Sequence, residues 1–183
     1  ALALGAKNVR VFGGGPIASL QGLDADGRVI YVGTFSKVVF PALRLGYVVV
    51  PKDLVPAFFD ARNAVDTFSS TLYQAVMNDF IREGHFARHI RRMRMLYLER
   101  RTALLEAIHK YMGDRLEVIG AEAGMQLTAL LPPGVDDVAV SRKAGHHGVS
   151  ARPLSPCYAN PPGRGGLILG YSGASVREIQ DGV

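Results

Sequence analysis

Apolar and polar positions fall into short runs in the first third of the chain and into a long helical period in the middle. Two apolar runs of strand length, Arg28–Val32 and Leu45–Val50, flank a stretch of small, polar and aromatic residues. Gly33 is expected to break the first run. Upstream, Gly13-Gly14-Gly15-Pro16 reads as a loop, Ile17–Leu23 as a connecting turn, and Asp24-Ala25-Asp26-Gly27 as a turn with Gly27 at positive φ. Pro51-Lys52-Asp53 closes the second run and opens a helix over Leu54–Arg62, with Leu54, Val55, Phe58 and Phe59 on one broad face. The polar segment Asp66–Thr71 interrupts that pattern. A second helix follows over Leu72–Glu83, with Ser70 or Thr71 as its cap and Gly84 as its stop. From His85 to Tyr111 the apolar residues Phe86, Ile90, Met93, Leu96, Tyr97, Leu104, Leu105 and Ile108 recur at spacings of three and four, which predicts the longest helix.

The last third mixes strands and helices. Leu116–Ile119 and Met125–Leu131 read as strands, with Gly120–Gly124 turning between them and Pro132-Pro133-Gly134 ending the second. Val138–Ala144 reads as a short helix opened by Asp136 or Asp137 and ended by His146-His147-Gly148. A short strand, Val149–Arg152, precedes a Pro- and Gly-rich loop, Pro153–Gly166. Leu167–Tyr171 is the last strand. Ser175 with Glu178 three residues on forms a capping box for a final helix. The fold class is α/β.

Composition narrows the class. The chain has 183 residues, 48% of them hydrophobic and 20% charged, which is globular rather than disordered. No stretch approaches the ~18 unbroken apolar residues of a membrane span. The first residues, ALALGAKNVRVF, lack the charged lead and long apolar core of a signal peptide. Cys157 is the single cysteine, so an internal disulfide framework is excluded. A cytoplasmic setting is expected.

The net charge of +5 is mild, and much of the arginine sits in the long helical segment, at Arg88, Arg91, Arg92, Arg94, Arg100 and Arg101. Such a row suits either phosphate neutralisation or a solvated helix face. The solvated face is preferred here. An apolar stripe accompanies the arginines, and Glu99 and Glu106 interrupt the charge. His85 and His89 stand at metal-ligand spacing, but no further ligand cluster follows them, so a metal site is not expected.

Candidate chemistry gathers between the two apolar runs. Lys37 lies there, seven residues before Arg44, among Phe35, Val38, Val39, Phe40, Leu43 and Leu45. Apolar surroundings suggest an amine withdrawn from water, and such an amine is the more readily deprotonated and nucleophilic. The run Thr34-Phe35-Ser36-Lys37, followed by Arg44-Leu45-Gly46-Tyr47, resembles the cofactor-lysine segment of fold-type I pyridoxal phosphate (PLP) enzymes. The longer phrase YVGTFSK…FPALRLGYVVVP resembles the aminotransferase-like domain of MocR-type regulators of the GntR family, and GHFARHIRRMR resembles their long interdomain helix.

The resemblance implies a partial fold-type I PLP-transferase, the end of a large-domain sheet followed by a small α+β C-terminal domain, divided as residues 1–75 and 76–183. It implies PLP on Lys37, with Thr34, Ser36 and Arg44 as cofactor ligands, and the loop Pro153–Gly166 over the site. The substrate carboxylate would fall to Arg152 or Arg164. The family's acidic segment, whose aspartate meets the pyridine nitrogen and whose tyrosine faces the phenolate oxygen, would fall near Gly5 and Ala6, where neither residue does either job. The chain is therefore expected to be a fragment or to have an altered start. Three functions follow: a PLP-dependent aminotransferase, a PLP- or effector-sensing module whose DNA-binding domain is not in this chain, or a remnant that folds only within a dimer. The implied partners are an amino acid or amine and a second copy of the chain, with no membrane.

Overall fold

A computed structural model describes residues 19–66, 70–121, 124–160 and 162–183. The loop expected at Gly13–Pro16 and the acidic-segment position near Gly5 lie outside those residues. The described chain forms two compact units, one ending at Arg91 and the other starting at Arg92.

In the first unit a four-residue helix, α1 (Leu20–Leu23), is capped by the Ser19 hydroxyl, which accepts the Gly22 N–H at 3.0 Å. This replaces the expected connecting turn. Strands β1 (Tyr31–Thr34) and β2 (Gly46–Val49) then pair antiparallel, with Tyr31 opposite Val49 and Thr34 opposite Gly46. β1 begins and ends later than the run Arg28–Val32 suggested, and Asp24 explains the late start. Its carboxylate accepts the N–H groups of Val29 at 2.7 Å, Arg28 at 2.6 Å and Asp26 at 3.1 Å, so the first two are taken before a ladder can use them. The same bonds, that from Val29 foremost, hold the Asp24 carboxyl below its ordinary range. Gly27 takes the left-handed φ of 67° that the turn needs.

The late end concerns Gly33, which sits inside the strand instead of breaking it. A Cβ there would lie 2.3 Å from Cζ of Tyr47, the residue opposite. Glycine here answers to the close approach of a ring, which a Cβ would force aside, and not to a turn. Strand alternation puts Tyr31, Gly33, Tyr47 and Val49 on one face, and Phe35 continues it. The Phe35 ring lies 5.4 Å from that of Tyr47 and meets Phe86 edge-on at 6.0 Å. The other face is open, with Val32 73% and Val48 47% exposed.

Helix α2 (Val55–Val65) follows a short 3-10 turn at Lys52–Leu54, and its Val55, Phe58 and Phe59 are exposed. Helix α3 (Thr71–Arg82) has Ser70 in the cap position, but the hydroxyl makes no capping bond. Gly84, at φ 77°, ends it and leads straight into α4 (His85–Met112). The core of the first unit is Phe35, Leu43 and Met77, joined by Val38, Val39, Leu45, Phe80, Ile81 and Phe86.

The second unit is a four-stranded antiparallel sheet with helices. Its strands are β3 (Glu117–Ile119), β4 (Gln126–Leu130), β5 (Arg152–Pro153) and β6 (Gly166–Gly170), in the order β3-β4-β6-β5. Alternation along β4 sends Leu127 and Ala129 into a core with Ala103, Leu104 and Ile108 of α4, and with Tyr171 and Ile179. Ile179 belongs to α6 (Val176–Gly182), which carries the expected capping box. Helix α5 (Asp137–His146) is capped by Asp136, whose carboxylate accepts from Val138 at 2.9 Å and Ala139 at 3.1 Å. β5 is shorter than the expected strand Val149–Arg152, because the Val149 N–H closes the end of α5 on the Ala144 carbonyl at 3.0 Å. Among the described residues no helix is long and apolar enough to cross a membrane.

Candidate active site

The end of β1 and the turn that leads to β2 carry Thr34, Ser36, Lys37 and Arg44, and the local bonds determine what each side chain is free to do. The Phe35 N–H donates to the Leu45 carbonyl at 3.0 Å, so the ladder extends one step past Thr34. The chain then doubles back, with the N–H groups of Val38 and Val39 both on the Phe35 carbonyl at 3.2 and 2.9 Å. The Thr34 hydroxyl accepts the Ser36 N–H at 3.1 Å and donates to the Leu45 carbonyl at 3.4 Å. That second bond is long, and Leu45 already has the Phe35 N–H. The Thr34 O–H can therefore turn to another acceptor at little cost.

Lys37 is exposed. This corrects the expectation that its apolar neighbours desolvate it. Phe35, Val38, Val39, Leu43 and Leu45 all turn inward to the core of the first unit and leave the lysine outside. Arg44 follows a 3-10 turn at Pro41–Leu43 and adopts φ 48°, ψ 34°, the one left-handed non-glycine among the described residues. Left-handed backbone costs a non-glycine residue roughly 1–2 kcal/mol. The side chain it carries is exposed.

Sequence reasoning missed the role of His89. Its ring Nε2 lies 2.9 Å from the carbonyl of Val38, the residue after Lys37. A carbonyl only accepts, so the ring nitrogen is the donor. His85, by contrast, faces the Glu83 carboxylate at 3.1 Å. The available signal was the position of His89 beside Ile90 on the apolar side of its helix. Beneath the strands, burial pushes the Tyr47 phenol up, and the nearby Tyr31 hydroxyl adds to this.

In the second unit, Arg164 is already engaged. Its Nε donates to the Leu131 carbonyl, and its Nη1 pairs with the Glu117 carboxylate at 2.5 Å. Arg152, on β5, is exposed. Asp137, which by sequence is a candidate opener of α5, organises both neighbourhoods. Asp137 is 3% exposed, and its carboxylate accepts from the Ser155 hydroxyl at 2.6 Å and from the N–H groups of Ser155, Gly166 and Leu154 at 2.8, 3.0 and 3.1 Å. Burial alone raises its pKa, but these four bonds outweigh it and hold the carboxyl below its usual range. The arginine row of α4 is not uniform. Arg88, Arg91 and Arg92 are exposed, whereas Arg100 is half-buried and donates to the Ser172 carbonyl.

Comparison with known proteins gives this geometry a family. The model of aminotransferase class I and II matches residues 8–178. The probable rhizopine catabolism regulatory protein MocR of Rhizobium meliloti is 41% identical over 94% of this chain and 35% of its own length. The multiple substrate aminotransferase of Thermococcus profundus superposes with a TM-score of 0.84 at 29% identity, over 94% of this chain and 43% of that one. The alpha-aminoadipate aminotransferase LysN of Thermus thermophilus, solved with N-(5'-phosphopyridoxyl)-L-leucine, gives 0.84 at 27%, over 96% and 46%. The chain thus spans less than half the length of each. It is mixed α/β and matches part of the fold-type I aminotransferase architecture. With nearly its whole length inside the matched region, the chain belongs to the aminotransferase class I and II family.

Proposed function

We propose that this chain is the part of an aminotransferase-like domain that holds pyridoxal phosphate on Lys37, with Thr34 and Arg44 on the phosphate and Ser36 as a further donor. The observation that carries the reading is the strand register. Thr34 opposite Gly46, and the Phe35 amide on Leu45, bring a hydroxyl, an amine and a guanidinium to one end of one strand pair. This donor set fits the group: an aldehyde takes a primary amine, and a phosphate takes hydroxyls and a planar charged fork. When bound, PLP supplies an electron sink for bonds at an amino-acid Cα.

The chain's own residues do the rest. Arg44 offsets the phosphate charge, and Thr34 turns its hydroxyl from Leu45 toward it. Lys37 would hold the aldehyde carbon through its amine and, when free, would carry a proton to and from an amino-acid Cα. For the substrate carboxylate, Arg152 is preferred to Arg164, whose guanidinium already has partners. The ligand is an amino acid or amine, and the assembled protein is a cytoplasmic homodimer.

A second reading is favoured by the 41% identity to a MocR regulator. On that reading the same site senses PLP or an effector, and DNA is addressed by a separate domain. Turnover of an amino donor separates the two. The test common to both is borohydride reduction with PLP, followed by mass spectrometry of the digest. The label is expected on the peptide containing Lys37 and is lost in Lys37→Ala. Label on Lys52, Lys110 or Lys143 instead, or none on folded protein, would overturn the proposal.

A further inference from the structure

Lys37 has a long flexible side chain and an exposed position, so the place its amine occupies depends on how firmly the backbone beneath it is held. Several bonds of that turn are local to it and its flanks: Ser36 to Thr34, Phe35 to Leu45 just ahead of β2, Val38 and Val39 to Phe35. The bond from the His89 ring to the Val38 carbonyl joins residues 51 apart in sequence and ties the turn to α4. The histidine is held in turn. Its ring lies 6.3 Å from that of Phe80 on α3, and Phe80 belongs to the core on which Val38 and Val39 pack.

We infer that His89 is a positioning residue for Lys37: by holding the carbonyl of the next residue, its ring N–H fixes the backbone from which the lysine amine projects. The inference rests on the reading of Lys37 as the cofactor lysine. His89 itself touches neither cofactor nor substrate on this account.

Two variants test the idea. His89→Leu keeps apolar bulk against Phe80 and removes the donor. His89→Gln keeps an amide N–H of similar reach. Amide exchange at Val38 and Val39, read by NMR, should quicken about tenfold in the leucine variant, corresponding to about 1.4 kcal/mol. It should stay near the unmutated rate in the glutamine variant. PLP titration with borohydride trapping should show about tenfold weaker loading for leucine and restoration by glutamine. In the unmutated protein, the ring N–H of nitrogen-labelled His89 should give a slowly exchanging signal, a measurement that stands even where a variant does not fold.

Unchanged exchange in His89→Leu, or no protected ring N–H, overturns the inference whatever PLP does. Faster exchange with unchanged PLP loading overturns the link to Lys37. If the unmutated protein takes no PLP while the exchange effect is present, the cofactor reading fails and the fixing of the turn stands.

Discussion

Asp137→Ala should be a strongly damaging truncation in the second unit, and its size follows from counting donors. The carboxylate serves the Ser155 hydroxyl and three backbone N–H groups. The Leu154 N–H also has the Gly166 carbonyl at 2.8 Å and keeps a partner after the change. The N–H groups of Ser155 and Gly166 do not. Each buried donor left without an acceptor costs about 1–3 kcal/mol. Ser155 is half-buried, and water can reach it in part, so a total of about 3 kcal/mol is expected. In a unit of this size that is a drop in Tm of about 12–24 °C. Asp137→Asn should cost about 1 kcal/mol, because an amide oxygen can still receive the three N–H groups while its NH2 meets Ser155, which then accepts.

Urea and thermal unfolding followed by circular dichroism would measure both variants. Acid adds a second axis. The folded carboxyl lies below the ordinary aspartate value of about 3.9, so its contribution is complete above that pH and is lost as pH falls through the folded value. This acid-dependent loss should be missing from Asp137→Asn. An alanine variant within about 0.5 kcal/mol of the unmutated protein would refute the argument, since that is the range of an uninvolved surface site.

Two further substitutions probe the first unit. Gly33→Ala should destabilise it by forcing the Tyr47 ring aside, and adding Tyr47→Ala should recover part of the loss; a double-mutant cycle with no coupling would remove the ring contact as the cause. Arg44→Ala should weaken PLP binding about ten- to a hundredfold, and Arg44→Lys by less, because Lys keeps charge without the paired fork. Arg44→Gly should lose the same affinity yet raise the melting temperature, because glycine accepts the left-handed backbone. Affinity equal to the unmutated protein in the alanine variant would take Arg44 out of the site.

What was legible in the chain was local. The period of α4, the stop at Gly84, the opening of α5 at Asp136 or Asp137 and the box at Ser175 and Glu178 are each written within a few residues, and each is observed, with Asp136 taking the cap. What misled was bonding to a distant partner or to a side chain whose role has no period. The run Arg28–Val32 has strand character, but the Asp24 carboxylate takes its first amides. Gly33 carries no sign that a tyrosine ring crosses it from the opposite strand. The apolar residues around Lys37 in sequence are not its environment in the fold, because the turn sorts its neighbours inward and its lysine outward. The donors that gather on Asp137 come from residues up to 29 positions away.

The glycine under Tyr47 also bears on how β1 and β2 find one another. A two-stranded ribbon has few contacts with which to reject a shifted pairing, and a slip of one residue turns every side chain to the opposite face. Here a shifted pairing would lose one specific contact, the Tyr47 ring over the Gly33 backbone. Moving Tyr47 one place along β1 would set its ring over Val32 or Thr34, each of which has the Cβ that Gly33 lacks. One missing methyl group thus serves as a registration mark. It favours the alignment that puts Thr34 opposite Gly46, and with it the spacing between the lysine and the arginine that the connecting turn presents.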